Sequence, residues 1–365
     1  MSLNVLLLGV GQCGNRILDE INKQAYGGGK LSKYFSRQKF PSNVRTLAVN
    51  TSRNDLRELD FTKAKDRVHT PHLHGVGANR DQGKKCFQQN KNVIFEAIEK
   101  EDDYDLGFVI TSAGGGTGSS FSPLLVEELR ERYNFQIHSV VVLPFRTEGT
   151  IFLQNTAFTL RELKEKDVDS MILVDNEFLK KGTNEDIHTA YSRINSMVAQ
   201  RMLFLLRALD SEMMLVTDLG DFNTVMSAGE KFATLGFCNA GENTAIQSAI
   251  KSSLSPNGLL FNTDVYKEAG RAMITIQGEK EQLDMEGITS EVDKLSDEIG
   301  HVFKGIVVND GNPKVLSVLS LDRSKELDSV YSKAIEAIEI EKRRKELKKE
   351  SEEVYSKIDG LEPEY

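Results

Sequence analysis

Two hydrophobic rhythms alternate along the first half of the chain. Short, mostly apolar runs at Asn4 to Leu8, Arg45 to Val49, Gly107 to Ile110, Ile137 to Leu143 and Ser170 to Val174 predict buried strands. Between them, apolar positions recur at helical spacing from Asn15 to Ile21, Asp81 to Glu99, Phe121 to Leu129 and on to Lys166. Strands alternating with helices imply an α/β fold, with a mostly parallel, Rossmann-like sheet and helices on both faces. One long helical pattern follows from Glu185 to Asp210, carrying Ile187, Tyr191, Ile194, Met197, Val198, Met202, Leu205, Leu206 and Leu209. Its apolar face broadens toward the C-terminal half, as expected of a central helix buried between two domains. Strand-like runs at Thr234–Phe237, Ala272–Gln277, Val302–Val308 and Val315–Leu321, with helices at Glu242–Ser252 and Met285–Ile299, predict a smaller α/β domain. The expected division is a parallel-sheet domain at 1–183, the central helix at 184–212, the second domain at 213–322 and a charged tail at 323–365, read as a solvated helix or disordered.

Glycine-rich turns stand where predicted strands give way to helices. Ala113-Gly114-Gly115-Gly116-Thr117-Gly118-Ser119-Ser120 lies between one such strand and helix, so its backbone can approach a ligand without Cβ clashes while its hydroxyls and the free helix N–H groups face an anion. A di- or triphosphate is the expected guest. A flexible linker would be out of place between two well-patterned core elements. Gly9-Val10-Gly11-Gln12-Cys13-Gly14 matches the Gly-x-Gly-x-x-Gly dinucleotide spacing. That fingerprint requires an acid at the end of the second strand, where Asn50-Thr51-Ser52 stand instead, which weakens the alternative of an NAD-dependent oxidoreductase. Gly75-Val76-Gly77-Ala78-Asn79 is a further turn ahead of a helix, suited to a terminal phosphate. All these turns fall at the carboxyl ends of strands, where one nucleotide could touch every one of them.

Charge and composition narrow the classes. The net charge of -9 argues against a nucleic-acid binder, which needs a basic face. Neither a long apolar run nor a basic-then-apolar leader is present, so a cytoplasmic protein without membrane insertion is expected. Cys13, Cys86 and Cys238 are far apart and read as reduced thiols. His69, His72 and His74 lack a nearby carboxylate or cysteine at ligand spacing, so they read as histidines of a loop and not as a metal site. Asp218 and Asp221, three apart at the entry to a helix, fit either a carboxylate pair that polarises water or a helix cap at Asp221 beside a solvated Asp218. Residue chemistry alone favours the cap.

These residues together resemble a known superfamily. Gly114-Gly115-Gly116-Thr117-Gly118-Ser119 looks like the signature loop of the tubulin and FtsZ GTPases, and Gly11-Gln12-Cys13-Gly14-Asn15 is similar to the tubulin form of the first phosphate loop. Asp175-Asn176-Glu177 is also tubulin-like, whereas Gly75–Asn79, Thr224-Val225-Met226-Ser227 and Ala240-Gly241-Glu242-Asn243 resemble FtsZ. The likeness runs in unbroken order from about residue 3 to 321 and is nearer to a prokaryotic tubulin-like branch, such as the archaeal CetZ group, than to a division FtsZ. The polar stretch Gly360–Tyr365 lacks the apolar peptide with which FtsZ docks membrane tethers.

The resemblance implies a GTPase that polymerises head to tail, binds GTP or GDP with Mg²⁺, and serves cell shape or division, with itself as partner and adaptor proteins beyond that. It implies that Gln12, Cys13 and Gly14, in the turn begun by Gly11, hold the α- and β-phosphates together with Ala113, Gly114, Gly115, Gly116, Thr117, Gly118 and Ser119. Gly77, Ala78 and Asn79 would sense the γ-phosphate, Glu148 the ribose, and Asn15, Asn176 and Asn195 the guanine edge, with Tyr191 stacking on the base. Gln12 is the expected protein ligand of the metal. Asp218 and Asp221 become the catalytic acids, inserted into the nucleotide site of the next subunit. Two departures from FtsZ, Val216 for Asn and Phe152 for Arg, imply a different turnover and keep open a non-hydrolysing, nucleotide-gated scaffold.

Overall fold

Strands made of aliphatic residues on both faces are stable only in a sheet covered by helices on either side. The computed structural model has that arrangement, and it describes residues 3–26, 40, 43–71, 75–99, 103–180, 185–210, 218–241, 244–309 and 311–359. The N-terminal half runs β1 (Asn4–Val10), α1 (Gly11–Tyr26), β2 (Asn43–Asn50), α2 (Arg53–Arg57), β3 (Arg67–His69), α3 (Arg80–Ile98), β4 (Leu106–Ser112), α4 (Thr117–Arg132), β5 (Gln136–Leu143), α5 (Thr150–Glu165), β6 (Ser170–Asp175) and α6 (Asn176–Lys180). Then come α7 (Ile187–Asp210), α8 (Leu219–Met226), β7 (Phe232–Asn239), α9 (Ile246–Ser253), α10 (Val265–Glu268), β8 (Ala269–Gly278), α11 (Met285–Ile299), β9 (His301–Val308), β10 (Lys314–Leu321) and α12 (Lys325–Asp359).

The sheet order is β3-β2-β1-β4-β5-β6-β7-β10-β8-β9, parallel except where β10 runs against β7 and β8. The C-terminal strands therefore continue the N-terminal sheet. The join is slight: β6 and β7 meet only at Met171–Phe232 and Ile172–Ala233. On one face α1 packs against α7, burying Ile17, Leu18 and Ile21 with Ile194, Val198 and Met202. On the other, α3, α4 and α5 bury Phe87, Phe121 and Leu160. Arg201 of α7 donates to Gly258 O at 2.6 Å, tying the central helix to the C-terminal part across the sheet seam.

Two sequence expectations are corrected. The glycine turn after β1 was expected to precede a helix from Asn15. Instead α1 starts at Gly11, whose φ of +73° turns the chain at once, so Gln12, Cys13 and Gly14 form the helix's first turn. A Cβ on Gly14 would sit 2.0 Å from Ile110 O, so glycine is what lets α1 lie against β4 this closely. The charged tail, expected as one solvated piece, is divided. Leu327, Val330, Ala334 and Ala337 of α12 are buried in the core face with α5, while residues from Lys342 to Ser356 are all exposed. Arg146 locks the entry to α12, donating to Asp175 at 3.1 and 2.8 Å and to Glu326 at 3.2 Å.

Candidate nucleotide-binding site

The ends of β1, β2, β4 and β5 open into one cavity of about 720 Å³, large enough for a nucleoside triphosphate. Its walls are the first turns of α1 and α4, the Gly75–Ala78 turn, Glu148 and Phe152 around the start of α5, Asn176, and Tyr191 with Asn195 on α7. Two helix N-termini therefore meet there. Neither α1 nor α4 has an acidic residue in its first turn, and α4 has no side-chain cap. Unpaired N–H groups with positive helix ends make this an anion site.

Close packing shapes the phosphate side. A Cβ on Gly116 would lie 1.4 Å from Gly77 O, so the α4 turn and the Gly75–Ala78 turn touch backbone to backbone. Asn155 holds them together, donating from Nδ2 to both Ala78 O and Gly114 O at 2.9 Å. Behind them, buried Arg80 donates to Ser119 O at 2.9 Å and pairs with Glu162 at 2.8 Å, which also takes Lys84.

On the opposite wall Tyr191 donates its hydroxyl to Glu148 Oε1 at 2.9 Å, and its ring meets Phe145 edge on at 5.2 Å. Burial first, then the negative Glu148, pushes the Tyr191 hydroxyl well above its ordinary range. The same two causes push the Cys13 thiol up to about 12, so it is a neutral packing group at any physiological pH and not a nucleophile. Among the described residues, Asn176 Oδ1 is buried in this wall with no hydrogen-bond partner, as is Asn15 Oδ1 just behind it. Buried acceptors without donors are costly, and at a cavity wall they mark where a ligand's N–H groups would bind.

Of the residues singled out from sequence, Gly11, Gln12, Cys13, Gly77, Ala78, Gly115, Gly116, Thr117, Gly118, Glu148, Asn176, Tyr191 and Asn195 line this cavity. Gly14, Ala113, Gly114 and Ser119 lie outside the lining as its buried support; Ser119 Oγ turns back to Gly116 O at 3.3 Å. Asn15 is also behind the wall, donating to Val49 O at 3.2 Å. Asn79 caps α3 by accepting from Gln82 N at 3.0 Å. Asp218 and Asp221 are outside the cavity's lining, at the start of α8. They form a reciprocal capping box: Asp218 accepts from Asp221 N at 2.9 Å, and Asp221 accepts from Asp218 N at 3.4 Å. Asp218, and not Asp221 as the cap reading had it, is the N-cap. Val216, His72 and His74 lie outside the described residues. His69, expected in a loop, is the last residue of β3 instead, paired with Asn50 and with its ring 3.2 Å from Thr51 O.

Sequence reasoning passed over several lining residues: Arg16, Asn50, Thr51, Ser52, Asp55 and His188. The Thr51 and Thr117 hydroxyls meet at 2.8 Å, and Asn50 donates to Asp55 at 3.1 Å. The signal for Asn50-Thr51-Ser52 is its place at the end of β2, where polar side chains meet the ligand edge of a parallel sheet whether or not one of them is an acid. An acid, Asp55, comes one turn later on α2.

Residues 4–184 match the model of the Tubulin/FtsZ family, GTPase domain. The chain is 57% identical to tubulin-like protein CetZ of Methanothrix thermoacetophila, over 100% of both chains. Among solved structures, CetZ from Methanosaeta thermophila superposes with a TM-score of 0.88 at 55% identity, covering 98% of each chain. The GTPγS-bound protofilament of CetZ2 from Haloferax volcanii superposes at 0.79, with 24% identity, over 93% of this chain and 100% of that one.

Proposed function

Because this chain belongs to the CetZ family of tubulin-like proteins, we propose that it is a cytoskeletal GTPase that assembles head to tail and hydrolyses GTP where one subunit meets the next, in the service of cell shape or division. The observation that carries this is the meeting of two acid-free helix N-termini in one cavity whose far wall holds a buried Asn176 carbonyl oxygen with no partner among the described residues. The first feature suits phosphates, and the second suits the N–H groups of guanine. The α1 and α4 turns would take the α- and β-phosphates, Gly77 and Ala78 the γ-phosphate, Glu148 the ribose, and Asn176 with Asn195 the base, beside the Tyr191 ring. Asn15 would act from behind the wall by fixing the end of β2.

A divalent cation fits the donor set modestly. Gln12 is exposed at the cavity and Asp55 lies in its wall, whereas no cluster of three metal-ligating side chains occurs among the described residues. Mg²⁺ held mostly by phosphate oxygens and water, with Gln12 as protein ligand, would neutralise charge on the β- and γ-phosphates.

The cavity contains the phosphate cradle but not Asp218 or Asp221, which supports hydrolysis shared between subunits. Their capping box leaves the carboxylates at the surface in a fixed geometry, ready to orient a water at a neighbour's γ-phosphate. That Haloferax CetZ2, which has this fold, forms a protofilament supports the head-to-tail reading, since open heterologous contacts generate filaments.

The test is the dependence of GTPase rate per molecule on protein concentration, with light scattering recorded in parallel. A steep rise coincident with scattering is expected, and a flat specific activity would refute the interface site. Asp221→Asn should bind GTP as the parent does, lose about 100-fold in turnover as expected for one positioned catalytic group, and form longer-lived filaments. Filaments on GTP with no phosphate release from the parent chain would favour a nucleotide-gated scaffold instead.

A further inference from the structure

The exposed half of α12 has a use that the nucleotide site does not explain. Ile340, Leu347 and Val354 are 44%, 59% and 57% exposed. They stand seven residues apart, so they form one narrow apolar stripe on a helix that has left the globule. From Lys342 to Asp359 the helix extends roughly 27 Å at 1.5 Å per residue. Its charge is split along its length. Residues 342–349 carry Lys342, Arg343, Arg344, Lys345, Lys348 and Lys349 against Glu346, whereas 350–359 carry Glu350, Glu352, Glu353 and Asp359 against Lys357.

We propose that this half-helix pairs with the same segment of a second copy in antiparallel orientation, bundling neighbouring filaments side by side. Charge selects both the occupant and its direction. Antiparallel alignment that sets Leu347 of each helix against Val354 of the other lays the basic residues 342–349 of each along the acidic residues 352–359 of its partner. A parallel pair would stack like charge on like. The seam is also too narrow for a stable dimer of single chains, because it offers one apolar residue per two turns where a coiled coil uses two. Pairing becomes effective only when many helices are displayed along a polymer, where each contact raises the effective concentration for the next. This inference rests on the head-to-tail assembly proposed above, and α12 supplies the second, lateral direction of order.

The full-length protein tests it with two charge reversals, Lys342→Glu/Arg343→Glu/Arg344→Glu/Lys345→Glu and Glu350→Lys/Glu352→Lys/Glu353→Lys. With GTP, the parent chain should sediment at low speed as bundles. Each variant alone should still sediment at high speed as filaments, with its low-speed fraction reduced about fivefold or more because like charges now meet along the whole helix. Mixing the two variants should restore low-speed sedimentation. Low-speed bundles from either variant alone, or no restoration on mixing, would overturn lateral pairing. Orientation is read separately: Leu347→Cys mixed with Val354→Cys should give an oxidised cross-link that neither variant gives alone, and a cross-link from Leu347→Cys alone would overturn the antiparallel arrangement. Loss of high-speed sedimentation in the parent chain would refute the head-to-tail reading on which the inference depends.

Discussion

Tyr191 and His138 show how much a single residue's surroundings decide. Tyr191 reads in sequence as one more apolar position on a helix, yet its hydroxyl fixes Glu148 at the cavity wall. Tyr191→Phe keeps the ring and removes that bond, so GTP affinity measured by titration calorimetry should fall about fivefold to tenfold, equivalent to roughly 1 kcal/mol. An unchanged affinity would remove Glu148 from the binding set. His138 is buried between Phe108 and Phe222, with Nδ1 at 2.8 Å from Ser170 Oγ. Burial lowers its pKa from 6.5 to about 4. The unfolded chain takes the proton as pH falls through 6.5, while the folded chain resists it down to about 4. The contribution of a neutral His138 is therefore complete above the unfolded value and is lost as pH falls between the two. Between pH 7.5 and 5.5 the parent should lose stability more than His138→Phe does, by on the order of 1 kcal/mol in urea unfolding. Equal losses would show that His138 is not the group that titrates.

At the scale of elements, the decisive case is α12. Its first turns are part of the core, because Leu327 and Val330 are 4% and 1% exposed and Glu326 joins Arg146 and Asn262. Leu327→Ala should cost about 2–4 kcal/mol by loss of burial and creation of a cavity. Ending the chain after Glu341 should leave the denaturation midpoint nearly unchanged, since nothing from Lys342 to Ser356 is buried. A large destabilisation by that truncation would mean that the exposed half is held to the globule. Charged composition here reads as either a solvated helix or a disordered tail. It does not announce the division, because it is uniform enough to hide four apolar positions that only α5 makes into core.

Over the whole molecule, the proposed sharing of the site between subunits is a property that mixing can test. Asp221→Asn keeps an intact cavity but cannot serve a neighbour, whereas Gly116→Ala forces the α4 turn against Gly77 O and should empty its own cavity while leaving Asp221 intact. Each variant alone should be inactive. An equal mixture should recover up to about a quarter of the parent GTPase rate, because in heterologous contacts random pairing places an intact cavity opposite an intact Asp221 in that share of interfaces. No recovery would argue for hydrolysis within one subunit.

The sequence by itself determined the strand–helix alternation, the glycine turns at the strand ends, and thus the side of the sheet that holds the site, because these depend on local periodicity and on backbone freedom near each residue. Family resemblance drawn from the same residues extended this to guanine nucleotide and GTPase chemistry, and the full-length likeness to CetZ supports both. What only the tertiary structure decided depends on residues far apart in the chain. Asn15 and Ser119 went behind the cavity wall while Asn50, Thr51 and Asp55 entered its lining. Periodicity says which face of an element is buried, but not whether that face meets core or cavity. That outcome is set by the packing of α1, α4 and α7 around the ends of β1, β2, β4 and β5.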